Sequence, residues 1–348
     1  MQQLSVLIVL TGSLGDLTRA LVLPAAIKAS RPAYISWLVE SRWSELLSLN
    51  RHIDRVIEFK REQGVRAFVS AYKELKNSSF DITIDLQRIL KSGILSFISG
   101  APRRLAFNRK NSKEFNWFFN NEYIAAREES YSKFNHYLLF LEKLDISLPE
   151  KFDYGLDHLE LSSINPEISE MIGSDAVGLI LGSSWPSKDW TAEGYSKLIN
   201  RLLEAKQVVV LLGDGNSAQL SQNLETHFNS PDLINLCGRT SITELVAVIK
   251  SLSVCTGPDS GPAHIAAAVG TPYVSLFGPT DPDRVAPQGY RHFVVRAKLP
   301  CSPCNRRVCP GLNRLCMRLI SVEQVYQTLM SAKKLQSNSL DRNSCRVL

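Results

Sequence analysis

The sequence predicts an α/β protein made of two Rossmann-like domains facing each other across a cleft, and three observations carry that prediction. Uncharged runs of leucine and β-branched residues, of which Leu4–Leu10 is the first, alternate with segments of helical length. The alternation is interrupted by a polar, proline-containing stretch at 147–166 and then starts again. A length of 348 residues exceeds what one hydrophobic core usually organises. Strands alternating with helices imply parallel sheets joined by right-handed crossovers, whose ligands bind beyond the carboxyl ends of the strands.

In the first half, strands are expected at 4–10, 34–39 and 80–85, with helices near 17–30, 63–76 and 88–98. The basic stretch "PRRLAFNRKNSK" and the aromatic stretch "FNWFFNNEY" follow, and a helix at 132–145 closes the half. The second half opens with the strand "AVGLILG" and the helix "TAEGYSKLINRLLEA", which begins on a threonine suited to the N-cap. The strand "QVVVLLGDG", a helix from Ser217 and the capped helix "SITELVAVIKSL" come next. Strand "SVCTG", helix "PAHIAAAVG" and strand "PYVSLFG" complete the rhythm. The expected domains are 1–160 and 170–320, followed by a last helix at 321–335 and a disordered tail at 336–348.

Hydrophobic residues at 44% and charged residues at 21% are ordinary for a soluble globular chain. No run of 18 apolar residues is present to span a bilayer. The N-terminus lacks a basic region and a small-residue cleavage site, so a cytoplasmic location is expected. A net charge of +6 suits an anionic substrate or membrane surface and does not require nucleic acid. Seven cysteines, an odd number, argue against a disulfide framework.

Four constellations carry chemistry. In "CTGPDSGPAHIAAAVGTPYVSLFGPTDP" a strand ends at Gly257, a turn bears Asp259, Ser260 and Gly261, and Pro262 opens a helix. The amides and dipole of such a helix make an anion site, with Ser260 and His264 as donors; the plainer alternative is a capped helix with His264 in the core. In "LGSSWPSKDW", Ser183, Ser184 and Lys188 at a strand end suit a diphosphate, although an ordinary polar loop would look the same. Asp214 in "LLGDGNS" is placed to bind a ribose or simply to make a turn. Cys301, Cys304, Cys309 and Cys316 could form a tetrahedral sulfur site for structural zinc or iron, or stand as reduced thiols.

The first loop, "GSLGD", follows a strand as a phosphate cradle would, yet ends in Asp16, which would repel phosphate. Asp16 could cap a helix beginning at Leu17. Basic clusters at Arg103, Arg104, Arg109, Lys110 and Lys113, and at Arg51, Arg55, Lys60 and Arg61, could meet an acidic acceptor or form solvated faces.

The run "GPDSGPAHIAAAVGTPYVSLFGPTDP", the early "GSLGD" and "CSPC…C…LCM" resemble glycosyltransferase family 9, the ADP-heptose:lipopolysaccharide heptosyltransferases, over nearly the whole chain. The resemblance implies a GT-B fold, with an acceptor-binding N-terminal domain, a nucleotide-sugar-binding C-terminal domain and a final helix returning to the first. It implies inverting, metal-independent transfer of heptose from an ADP-sugar to a lipid A/Kdo-type acceptor, with peripheral contact at the inner membrane and no catalytic cofactor. By motif, Asp16 matches the general base and Gly15 lies beside it; Arg103, Arg104 and Arg109 fall on the acceptor side. Ser183, Ser184 and Lys188 match one donor loop, and Asp259, Ser260, Gly261 and His264 the other, with Asp214 standing where a glutamate is common. In this sequence Asp189 separates Lys188 from Trp190. A nucleotide-sugar epimerase, a dinucleotide-dependent dehydrogenase and a non-catalytic binding protein are the competing readings. The dehydrogenase is weakened because "GSLGD" is not G-x-G-x-x-G.

Overall fold

The computed structural model describes residues 3–173 and 175–338. The chain divides into two compact units, Met1–Asp157 and His158–Leu348, with the division inside the expected linker.

The first unit contains β1 (Leu4–Val9), α1 (Leu14–Ala20), α2 (Val22–Ser30), β2 (Ala33–Glu40), α3 (Ser44–Ser48) and β3 (Arg55–Phe59). It continues with α4 (Val65–Lys76), β4 (Ile82–Asp85), α5 (Leu90–Ile98), β5 (Arg103–Ala106), β6 (Glu122–Tyr123) and α6 (Lys133–Lys143). All six strands are parallel, in the order β3-β2-β1-β4-β5-β6. Residues Val6 to Val9 of β1 are fully buried, as a strand covered on both faces must be. The helix expected at 17–30 is two helices, the first beginning at Leu14. Pro24 sits in the first turn of α2, where its missing N–H costs nothing. Asp16 is therefore the third residue of α1 rather than its N-cap, a position taken by Ser13.

The second unit begins with α7 (Leu161–Ile164), α8 (Pro166–Ile172), β7 (Val177–Ile180), α9 (Ala192–Glu204), β8 (Val209–Leu212), α10 (Ala218–Phe228), β9 (Leu233–Asn235) and α11 (Ile242–Ser251). It ends with β10 (Val254–Pro258), α12 (Gly261–Val269), β11 (Tyr273–Phe277), α13 (Pro282–Val285), β12 (Val294–Arg296), α14 (Leu315–Arg318) and α15 (Val322–Asn338). Its six parallel strands are ordered β12-β11-β10-β7-β8-β9. Counted from each unit's own first strand, the two sheets have the same order, 3-2-1-4-5-6. The order reverses between β1 and β4 in one and between β7 and β10 in the other, and these reversals are where such sheets open a ligand crevice.

Local chemistry explains where the helices start. Thr191 accepts a hydrogen bond from the Gly194 amide and caps α9, as expected. Ser241 and Glu244 cap α11 reciprocally, each side chain satisfying the other's amide. The final helix, expected to return to the first domain, is instead part of the second unit. Val325, Leu329 and Ala332 recur at helical spacing and are buried in that unit's core with Leu198, Leu202 and Val295. Helix α15 continues through Asn338, so 336–338 are helical, and the rest of the expected disordered tail lies outside the described residues. No helix among the described residues is long and apolar enough to cross a membrane.

Gly257, in the middle of β10, shows how tightly the second sheet is packed. A Cβ there would lie 2.7 Å from both the Cβ and the carbonyl oxygen of Ile180 and 2.8 Å from the Tyr273 hydroxyl. Two of those atoms belong to a neighbouring strand, which has little room to yield. Gly257→Ala is expected to destabilise the protein by about 1–3 kcal/mol, read as a lowered urea midpoint with an unchanged m-value.

Candidate active site

In the second unit, the loops after β7 and β10 meet at the reversal of strand order. Gly182 leaves β7 with φ +82°, and a Cβ on it would come within 2.8 Å of Ser217 Oγ, so the turn needs a glycine. Ser183 Oγ lies 2.8 Å from the Trp185 carbonyl and 2.9 Å from Asp189 Oδ1, and accepts from the Trp185 amide. Burial pushes the Asp189 carboxyl up, against the pull of the Ser183 hydroxyl. A 3₁₀ turn at Pro186–Lys188 then directs Lys188 inward. Its Nζ donates to Asp259 Oδ2 at 2.6 Å and reaches the Asp259 carbonyl at 3.3 Å. Asp259 is 5% exposed and also accepts from Thr280 Oγ1 at 3.0 Å. His264 is buried, with Nε2 3.9 Å from Asp259 Oδ1.

Lys188, Asp259 and His264 are thus brought together, and Ser260 and Gly261 stand beside them at the start of α12. Ser260 occupies the N-cap position without capping through its side chain, and Pro262 lies in the first turn. Ser184 is exposed on the same loop as Ser183. Asp214 is occupied differently: its oxygens accept from the backbone amide and side chain of Asn216, at 3.0 and 2.9 Å, so it builds the turn after β8.

Arg314 and Ser187, absent from the sequence reading, fasten this loop to the cysteine segment. Arg314 Nη1 donates to the carbonyls of Pro186 and Asp189 at 3.2 and 3.3 Å, while Ser187 Oγ donates to the Arg306 carbonyl at 2.6 Å. Cys301, Cys304, Cys309 and Cys316 line one cavity of about 450 Å³ together with Ser187 and Pro279. All four are free thiols, and among the described residues no group of three or more His, Cys, Asp or Glu is arranged to hold a metal ion. The expected zinc or iron site is therefore not supported. Two of the thiols are differently engaged: backbone amides of Arg314, Gly311 and Leu312 hold the Cys309 thiol below its usual range, whereas burial raises that of Cys316.

In the first unit, the Thr11 amide donates to Gln87 Oε1 at 2.8 Å and so bridges the ends of β1 and β4. Gly12 follows, where a Cβ would stand 3.1 Å from the indole nitrogen of Trp43. Gly15 is buried in the first turn of α1, and Asp16 faces a set of groups the sequence did not connect with it. Its Oδ1 accepts from Arg19 Nη1 at 2.9 Å and from Lys133 Nζ at 3.0 Å, and its Oδ2 from Ser13 Oγ at 3.2 Å. Tyr137 is buried beside it, its hydroxyl pushed well up by that burial and by the Asp16 charge.

The basic clusters divide by role. Arg51 pairs with Asp153 and Asp157, and Arg55 with Glu74, so both hold structure. Arg103 pairs with Glu122 through two bonds of 2.7 and 2.9 Å, and Arg104 donates to the carbonyls of Phe119 and Ala101. Both stand at the amino-terminal end of β5, whereas Asp16 lies beyond the carboxyl end of β1, so the structure does not bring them together. Arg109 stacks over Trp117, 4.4 Å from the ring centroid. A different set stands at the Asp16 edge. Glu40, buried at the end of β2, accepts from Arg42, Arg61 and Lys91 and leaves an excess of positive charge. Burial holds the Lys91 ammonium below its ordinary value despite Glu40.

Comparison with known proteins agrees with this architecture. The profile of glycosyltransferase family 9 (heptosyltransferase) matches residues 68–314. Lipopolysaccharide heptosyltransferase 1 of Pseudomonas aeruginosa is 28% identical over 327 residues, covering 87% of each chain. The structure of E. coli ADP-heptose lipopolysaccharide heptosyltransferase II superposes with a TM-score of 0.76 at 20% identity, covering 97% of this chain and 100% of that one. E. coli heptosyltransferase WaaC, solved with ADP, gives 0.75 at 20% identity over 94% of this chain and 100% of that one. The two structural likenesses establish the GT-B fold. A profile match across most of the chain displaces the epimerase and dehydrogenase readings, and the chain belongs to glycosyltransferase family 9, the heptosyltransferases.

Proposed function

We propose that this chain transfers heptose from ADP-L-glycero-D-manno-heptose to the inner core of lipopolysaccharide, with inversion at the anomeric carbon and Asp16 as general base. The observation that carries the reading is a division of charge. The strand-order reversal of the first unit presents a carboxylate, Asp16, and that of the second presents an ammonium, Lys188, next to the start of α12. In the reaction, the Asp16 carboxylate takes the proton of an acceptor hydroxyl as its oxygen bonds to the anomeric carbon. The bond from that carbon to the diphosphate breaks, and ADP carries the electron pair away. Lys188, His264, the hydroxyls of Ser183, Ser184 and Ser260, and the α12 amides beginning at Gly261 meet the departing charge.

Arg19 and Lys133 hold the Asp16 carboxylate in one orientation, and an incoming hydroxyl needs only one of its remaining lone pairs. The cations around Glu40, with Arg109, suit the carboxylates and phosphates of a Kdo- and lipid A-type acceptor. Diphosphate neutralisation is assigned to side chains and amides, so the reading needs no catalytic metal. The names of the relatives support the sugar and the acceptor: the P. aeruginosa protein is a lipopolysaccharide heptosyltransferase, and the solved E. coli enzyme is named for ADP-heptose.

Two measurements test the reading. ADP-heptose is expected to raise the melting temperature, and uridine and guanosine diphosphate sugars to leave it unchanged; the reverse pattern would remove the donor assignment. Asp16→Asn is expected to lower kcat by about 100-fold or more while the ADP-heptose thermal shift persists. A variant that transfers at the wild-type rate would remove Asp16 from the mechanism.

A further inference from the structure

Gln87 stands where the strand order of the first unit reverses, just past the carboxyl end of β4, and Thr11 stands just past that of β1. The Thr11 amide donates to Gln87 Oε1 at 2.8 Å, and Thr11 Oγ1 lies 3.3 Å from the same oxygen. A backbone N–H can donate only to the oxygen of a side-chain amide, so this contact fixes which end of Gln87 is which. Nε2, with its two N–H groups, is therefore the arm turned away from Thr11. Among the described residues nothing accepts from it, and solvent reaches it.

The backbone beneath this side chain is held as firmly. The Gln87 amide donates to Asp85 Oδ1 at 3.0 Å, and Asn116 Nδ2 donates to Asp85 Oδ2 at 2.5 Å. Asp85 is fully buried at the end of β4, so its carboxyl group requires those donors and keeps them in place. Thr11 is pinned from its other side, where its carbonyl accepts from the Glu40 amide at the end of β2. Three adjoining strands thus set the position of a half-buried glutamine whose donor end is unused. Ordering such a side chain costs conformational entropy, which a ligand that uses the donor does not have to supply again.

Two N–H groups with no acceptor of their own call for an oxygen that bears lone pairs, a hydroxyl or a carboxylate. Asp16 follows Thr11 by five residues, in the first turn of α1, and already carries Arg19 and Lys133. A further cation at this crevice would make that carboxylate a weaker base, whereas a neutral amide donates without doing so. We propose that Gln87 contacts the acceptor, donating from Nε2 to a sugar oxygen beside the attacking hydroxyl and so turning that hydroxyl toward Asp16. The inference deepens the proposed function and rests on its placing of the acceptor at the Asp16 loop.

Steady-state transfer from ADP-heptose to Kdo–lipid A by the full chain tests it. Gln87→Glu keeps an oxygen to accept from Thr11 and replaces the donor with a second acceptor. It is expected to raise KM for Kdo–lipid A about tenfold or more, in low and high salt alike, and to leave the ADP-heptose thermal shift unchanged. Gln87→Met, neutral and similar in length, is expected to raise the same KM. A wild-type KM in Gln87→Glu overturns the proposal, because holding Thr11 is then the whole role of the residue. A rise that vanishes in high salt overturns it too, since general repulsion of an anionic acceptor accounts for it. So does a fall in kcat and melting temperature at unchanged KM, the mark of a purely structural residue. Asp16→Asn, assayed alongside, separates the two readings. If it loses transfer while both Gln87 variants match the wild type, this inference alone fails. If it transfers at the wild-type rate, or the wild type does not use Kdo–lipid A, the proposed function fails and this inference with it.

Discussion

The ion pair between Lys188 and Asp259 is the contact on which the second unit's functional edge depends. It joins residues 71 positions apart, across the point where the strand order reverses. Asp259 adds Thr280 and stands beside His264, so one nearly buried carboxylate gathers the loops after β7, β10 and β11. A carboxylate placed so deeply requires compensating donors, and the loops that supply them become fixed in position. The Lys188 loop is held from the other side as well, by Arg314 and by the bond from Ser187 to the Arg306 carbonyl.

The first unit solves a similar problem around a second carboxylate. Asp16 carries the central charge, and Arg19, Lys133 and Ser13 surround it. Lys133 comes from the first turn of α6, far along the chain, so the geometry of this acid depends on the packing of α1 against α6. The Gly12 turn ahead of it lies against Trp43, where a side chain would be in tight contact with the indole.

The sequence made the centre of each sheet legible and left the margins obscure. Strands β1, β7, β8, β10 and β11 are covered on both faces and appear as uncharged runs. Strands β3, β6, β9 and β12 are the outermost of their sheets, and none was expected. An edge strand has one neighbour, is short, and tolerates charge, as Arg55 and Glu58 in β3 and Arg296 in β12 show. Strand β5, one place in, opens with Arg103 and Arg104 and so looked like a basic loop. The loops that carry the site were legible because glycine and polar residues directly follow buried strands. Their partners were not: Lys133, Thr280 and Arg314 are ordinary surface types until tertiary packing brings them to Asp16, Asp259 and the Lys188 loop. The four cysteines misled for the converse reason, since close spacing in sequence suggested a common centre that the thiols do not form.

The identical strand order of the two units bears on how such an enzyme can change over generations. Each sheet pairs only with itself, so an exchange or insertion in one unit leaves the register of the other intact. The half carrying Asp16 and the half carrying Lys188 are therefore separable heritable parts, free to diverge at different rates. A lineage could alter the loops around Asp16 by drift while purifying selection preserves those around Lys188.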